Sequence, residues 1–136
     1  MFNGCKYLVK VPELPATKLA NSCYDHMFSG CTSLTTIPSN LLPATTLGKY
    51  CYDNMFSGCT GLTTVPNLPA TTVRAYCYEY MFNGCTSLTT VPSNLLPATT
   101  LIGSCYRYMF SGCIGLTTVP NLPATKLAEY CYYYMF

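Results

Sequence analysis

The sequence predicts an α/β repeat solenoid, with short parallel strands on one face and short helices or 3₁₀ turns on the other. Three observations carry this. All six Met and all six Phe occur as Met-Phe pairs, beginning at residues 1, 27, 55, 81, 109 and 135, so the steps are 26, 28, 26, 28 and 26. The ten Cys fall into two columns of the same period. Each unit holds one β-branched run and one run of apolar residues four apart. A period of 20 to 50 residues marks supersecondary units that bury their apolar face only by stacking on their neighbours.

The coils run at approximately 5–30, 31–58, 59–84, 85–112 and 113–136. The two longer ones carry Ser39-Asn40 and Ser93-Asn94 ahead of Leu-Leu-Pro, so the larger unit is a pair of coils, one long and one short. In four of the five coils the first element is Leu-Thr-Thr-Val-Pro, or its Ile variant at 34–38, with copies at 62–66, 88–92 and 116–120. A β-branched run closed by proline reads as a short strand. Adjacent Thr residues in a strand point to opposite sides, so Thr36, Thr64, Thr90 and Thr118 are expected to form a hydroxyl column on the strand face. After Lys6, Lys10 and Glu13 that face carries no charge.

The second element follows Pro-Ala-Thr. Leu19, Cys23 and Met27 are four apart, as are Leu47, Cys51 and Met55, which is helical spacing. Thr17 or Thr46 can cap such a helix and Gly30 or Gly58 can end it. On that helix the column Asp25, Asp53, Glu79, Arg107 and Tyr133 is expected to face water. Tyr24, Tyr52, Tyr78, Tyr106 and Tyr132 would lie at the rim of the buried stripe with wet hydroxyls. The core ladders expected are Cys23, Cys51, Cys77 and Cys105; Cys31, Cys59, Cys85 and Cys113; and Met27, Phe28, Met55, Phe56, Met81, Phe82, Met109 and Phe110.

Strand, turn, helix, turn within one such period is the layout of a leucine-rich repeat. The Met-Phe, Gly-Cys and Leu-Pro-Ala-Thr motifs of all five coils, with the Leu-Thr-Thr-Val-Pro type of four of them, resemble the BspA-type leucine-rich repeats of bacterial surface proteins, in particular a branch rich in Cys and Tyr. The resemblance implies an extracellular or cell-surface protein, with adhesion to host or matrix ligands attributed to some members. Here most coils hold Cys at both core columns, where the commoner family pattern keeps one Cys and one aliphatic residue. No ligand motif carries over residue by residue.

Composition limits the chemistry. A formal net charge of +2 from 7 basic and 5 acidic residues is too small to hold a nucleic acid by counterion release. No apolar stretch approaches the ~20 residues that span a bilayer. The cysteines admit three readings: Cys-x7-Cys bridges such as Cys23 to Cys31, bridges such as Cys5 to Cys23 and Cys31 to Cys51, or two reduced ladders of small buried side chains. Metal ligation is not expected, because His26 is the only imidazole and tight Cys knuckles are absent. No cofactor and no catalytic residue is expected either. His26 lies three residues from Cys23, off its helical face, and the five carboxylates are scattered.

Tyr80, Tyr108, Tyr133 and Tyr134 thicken toward the C-terminal end and suit a protein or sugar contact. Together with the threonine column they are the candidate partner-contact residues. Met1 and Phe136 stand in repeat columns, so residues 1–136 read as a single array, expected to be a segment of a longer one or to stack on copies of itself. The expected partners are therefore a protein or glycan ligand, or copies of the chain end to end.

Overall fold

The computed structural model describes residues 1–136, and its backbone is neither helical nor continuously stranded. Where helices are expected, left-handed backbone interrupts every run: at Ser22 (φ 57°), Tyr24 (φ 65°) and His26 (φ 51°) in the first, and at positions four apart in the others, Tyr50 and Asn54, Tyr76 and Tyr80, Ser104 and Tyr108, Tyr130 and Tyr134. No right-handed helix accommodates those residues. The intervening N–H groups close isolated turns instead, as Met27 does onto the Tyr24 carbonyl (3.2 Å) and Cys31 onto Phe28 (3.1 Å). The other N–H groups reach the next coil. Ser22 donates to Lys49 (2.8 Å), His26 to Asp53 (2.9 Å), Phe28 to Met55 (2.9 Å) and Gly30 to Ser57 (2.7 Å).

This pattern recurs in every coil. Phe56 donates to Met81, Phe82 to Met109 and Phe110 to Met135. Each of these donors reaches the preceding column of the coil that follows, so along this run the bonds point forward, while those of the threonine segments point back. The helical expectation fails for this reason: pairing between coils competes for the same N–H groups as an i to i−4 helix, and the stacked neighbour supplies the better-placed acceptors. Non-glycine residues in the left-handed region cost roughly 1–2 kcal/mol each, which the ladder offsets. The last position of each run is Gly4, Gly30, Gly58, Gly84 or Gly112, all with φ between 70° and 75°, where a side chain would add to that cost.

The expected strands at 34–38, 62–66, 88–92 and 116–120 do not form either, and the two isolated parallel bridges, Lys18 to Thr46 and Thr100 to Lys126, lie after Pro-Ala-Thr instead. Prolines at 38, 66, 92 and 120 lack the donor a ladder needs. The alternation of long and short coils also makes successive interfaces unlike. From a long coil to the short one after it, Thr63 donates to Thr35 (2.9 Å) and Asn67 to Ser39 (2.8 Å), with Thr117 to Thr89 and Asn121 to Ser93 repeating the pattern. From a short coil to the long one after it, the corresponding segment keeps a single backbone bond, Ser33 to Lys6 (3.1 Å) or Ser87 to Thr60 (3.2 Å).

The inserted Ser-Asn turns, closed by Leu41 onto Pro38 and Leu95 onto Pro92, stand clear of the short coil behind them. A proline-walled cleft is left at each such place. One lies between Pro12 to Pro15 and Pro38 to Pro43, the other between Asn67 to Pro69 and Pro92 to Pro97.

The core is built of side-chain ladders. Phe2, Phe28, Phe56, Phe82, Phe110 and Phe136 stack with centroids 5.5–5.9 Å apart. Met27, Met55, Met81 and Met109 are buried beside them. Tyr24, Tyr52, Tyr78, Tyr106 and Tyr132 form a second stack, spaced 5.6–6.1 Å. Tyr52, Tyr78 and Tyr106 are fully buried, and the Tyr52 and Tyr78 hydroxyls have no hydrogen-bond partner. The expected wet rim is thus corrected: without a helix this column turns inward between stacked coils, where burial drives the phenols well above their usual pKa.

Candidate functional site

Spacing leaves the chemistry of the cysteine columns open, and the fold decides it. All ten are free thiols, so neither bridged arrangement is formed. Cys5 is exposed and Cys23 half-buried; the other eight are buried. Their role is polar as well as spatial. Cys31, Cys59, Cys85 and Cys113 each donate Sγ–H to the carbonyl of the Phe one coil back, Phe2, Phe28, Phe56 and Phe82, at 3.1–3.3 Å. In the other column the Gly48 and Arg74 N–H groups donate to Cys51 Sγ and Cys77 Sγ, both at 3.0 Å. An aliphatic residue would leave the Gly48 and Arg74 N–H groups unpaired, whereas the Phe carbonyls, each of which also accepts a backbone N–H, would lose only a second donor. Burial pushes Cys51 up to about 11 and Cys59 and Cys77 up to about 12, so they stay protonated at neutral pH and are inert as nucleophiles.

The threonine column divides in two. Thr36, Thr64, Thr90 and Thr118 are all exposed, but Thr64 Oγ1 accepts the Ile37 N–H (3.2 Å) and Thr118 Oγ1 the Val91 N–H (3.1 Å). Those two hydroxyls supply acceptors that proline-interrupted pairing omits. Thr36 and Thr90 make no such bond. The adjacent residues Thr35, Thr63, Thr89 and Thr117 are exposed too, contrary to the strand alternation expected, because no continuous strand forms there.

The tyrosines outside the core make a second array. Tyr80, Tyr108 and Tyr134 stack at 4.6 and 5.5 Å, within 5° of parallel, and Tyr50 stacks on Tyr76 at 4.6 Å and 1°. Tyr133 stands edge-on to Tyr108, Tyr130 and Tyr134. Tyr133 and Tyr134 are exposed; Tyr80 and Tyr108 are half-buried. Arg107 lies among them, its guanidinium carbon 5.1, 5.6 and 5.9 Å from the Tyr108, Tyr133 and Tyr130 rings, while Nη1 donates to Glu79 Oε1 at 3.1 Å.

The charged column runs between the two tyrosine stacks and faces water only in part, where full exposure is expected from a helical wheel. Asp25 is exposed, Asp53 half-buried and Glu79 buried. Asp25 contacts His26 Nδ1. Asp53 accepts from Asn54 Nδ2 (2.7 Å) and has no cationic partner of its own. Burial, and then repulsion from Asp25, push its carboxyl up to about 6. Reading the sequence alone leaves Tyr50, Tyr76, Tyr130, Asp53, Glu79 and Arg107 out of the site. Aromatic residues three before and one after the charged column are the signal that could have found them.

A pH dependence follows. The folded chain holds the Asp53 proton more tightly than an unfolded chain, whose carboxylate titrates near ~3.9. The Asp53 contribution to stability is therefore full below about pH 4 and is lost as pH rises through about 6. Asp53→Asn is expected to stabilise the fold by about 1 kcal/mol at pH 7, after discounting for solvent screening, and to have little effect at pH 4. Urea midpoints at the two pH values test this; equal effects at both would refute it.

Compared with known proteins, residues 1–135 match the BspA type leucine rich repeat region in 6 copies. No curated protein and no solved structure matches the chain.

Proposed function

The chain belongs to the BspA-type leucine-rich repeat family, and from that premise we propose that it is a non-catalytic scaffold of the cell surface or extracellular space that binds a protein or glycan. The whole chain acts in this reading as one array. The observation that carries it is the tyrosine face. Tyr80, Tyr108 and Tyr134, with Tyr133 against them, present aromatic area that the core does not use. Rigid aromatic surface of this kind supplies contact area at low entropic cost. The threonine face, with Thr36 and Thr90 uncommitted, is a secondary contact. Family association with bacterial surface proteins supports the location.

The test is binding of the purified chain to immobilised matrix proteins and glycans. At least one is expected to bind, and a Tyr133→Ala, Tyr134→Ala double variant is expected to weaken that binding by about tenfold. Binding indifferent to both tyrosines, or none across the panel, would overturn the proposal. A second reading, a fibre or stalk built by stacked chains, is favoured by the backbone ladders between coils: donors point forward along the Ser22 to Gly30 run and backward at Thr63 and Asn67, so a copy stacked in the same orientation would meet matching partners. Filaments in electron micrographs would support it, and uniform monomers would remove it.

A further inference from the structure

We infer that the strip between the two tyrosine stacks, centred on Asp53, is a receptor for lysine or arginine side chains of a basic segment in a partner protein. This deepens the proposed function and rests on it. The chain itself displays the required chemistry one step along the solenoid: the Arg107 guanidinium pairs with Glu79 while lying over Tyr108, Tyr130 and Tyr133. A cation there meets a carboxylate and aromatic faces together, the combination that binds guanidinium and ammonium groups.

By the repeat, Asp53 stands where Arg107 stands two coils later; Tyr76 occupies the column of Tyr130 and Tyr80 that of Tyr134, while Asn54 and Glu79 take the columns of Tyr108 and Tyr133. Tyr50 and Tyr76 stack on one side, at 4.6 Å. Tyr80, in the stack on the other side, continues into Tyr108. No basic side chain of the chain pairs with Asp53; its hydrogen-bond partner is the uncharged amide of Asn54. Three of the five carboxylates, Asp25, Asp53 and Glu79, share this column, and Arg107 answers Glu79 alone. Charge complementarity therefore selects a cationic partner over a neutral sugar. Asp53 holds its charge at a half-buried place where it opposes folding, and an incoming cation relieves that cost. The groups that bear on it are Asp25, His26, Asn54 and Glu79, with the Tyr50 and Tyr80 phenols alongside.

The experiment titrates the purified chain with hexa-arginine at constant ionic strength, with hexa-glutamate and a neutral chito-oligosaccharide as comparison probes. Hexa-arginine is expected to bind and to lower the Asp53 carboxyl midpoint, read by carbon-13 NMR, by about one pH unit. Asp53→Asn, expected to fold at least as well as the parent, should weaken that binding by about tenfold. Tyr80→Leu should weaken it too, while Tyr80→Phe, which keeps the ring, should not. An unmoved Asp53 midpoint, or equal binding by Asp53→Asn, overturns the inference. A glycan or protein that binds through Tyr133 and Tyr134 and is indifferent to Asp53→Asn would overturn it while leaving the proposed function standing. Asp53-dependent hexa-arginine binding with no ligand found for Tyr133 and Tyr134 would support the inference and count against the wider contact face.

Discussion

Replacing Phe82 by Ala is expected to lower the unfolding free energy by about 3–5 kcal/mol. Phe82 is fully buried and lies between Phe56 and Phe110 at 5.7 and 5.6 Å, nearly parallel to both. The cavity cannot close by sliding the neighbouring rings together. Their backbones are held in register by the Phe56 to Met81 and Phe82 to Met109 hydrogen bonds, each 2.9 Å. Phe136 is a sharp comparison, because it stands in the same ladder, is 52% exposed and has one stacked neighbour. Truncating it should cost about 1 kcal/mol. Since each coil contacts only its neighbours, hydrogen-exchange protection in Phe82→Ala should fall most on the coils either side of residue 82. Equal destabilisation by the two substitutions would refute the account.

Gly61→Ala carries the second large effect. A Cβ there would sit 2.6 Å from the Thr32 carbonyl oxygen, and in the equivalent place Gly115 would put one 2.9 Å from the Thr86 oxygen. Both glycines lie at long-to-short interfaces, where Thr63 to Thr35 and Asn67 to Ser39, or their copies, clamp adjacent coils. Opening the clash means lengthening those bonds, so a loss of about 1–3 kcal/mol is expected for Gly61→Ala and somewhat less for Gly115→Ala. Ser33 and Ser87 hold the same column in the long coils, and Ser33→Ala should change stability by no more than about 0.5 kcal/mol. Denaturant midpoints decide the matter. A neutral Gly61→Ala would mean that the two kinds of interface do not differ in tightness.

The repeat, its two coil lengths and the residues of the core columns are legible in the sequence, because covalent spacing alone puts equivalent residues in register once coils stack. The local conformation is not. Four-residue apolar spacing in Leu19, Cys23 and Met27 fits a helix, and nothing in residue type announces that Ser22, Tyr24 and His26 turn left-handed. That choice depends on acceptors in the next coil, a full repeat away along the chain, as Lys49 is from Ser22. The same limit hid the site. Tyr80 and Tyr108 are visible as a ladder, but the pairing of Arg107 with Glu79 and the isolation of Asp53 follow from neighbours along the solenoid axis.

The cysteines mark the division most clearly. Spacing admits two disulfide frameworks and a reduced pair of ladders; in the folded chain all ten thiols are free, and buried ones in both columns bond to backbone groups of an adjoining coil or of the same turn.

By itself, then, the sequence determined that this protein is an array of stacked coils with Phe, Met, Tyr and Cys in fixed columns, since periodicity is a property of the chain. Only the tertiary structure decided that the coils are joined by backbone ladders between turns, that alternate interfaces are tight and open, and that one carboxylate is left between tyrosines without a counter-charge. Each of those depends on which backbone and side-chain groups meet across about 4.8 Å between coils, and a single repeat contains no record of its neighbour.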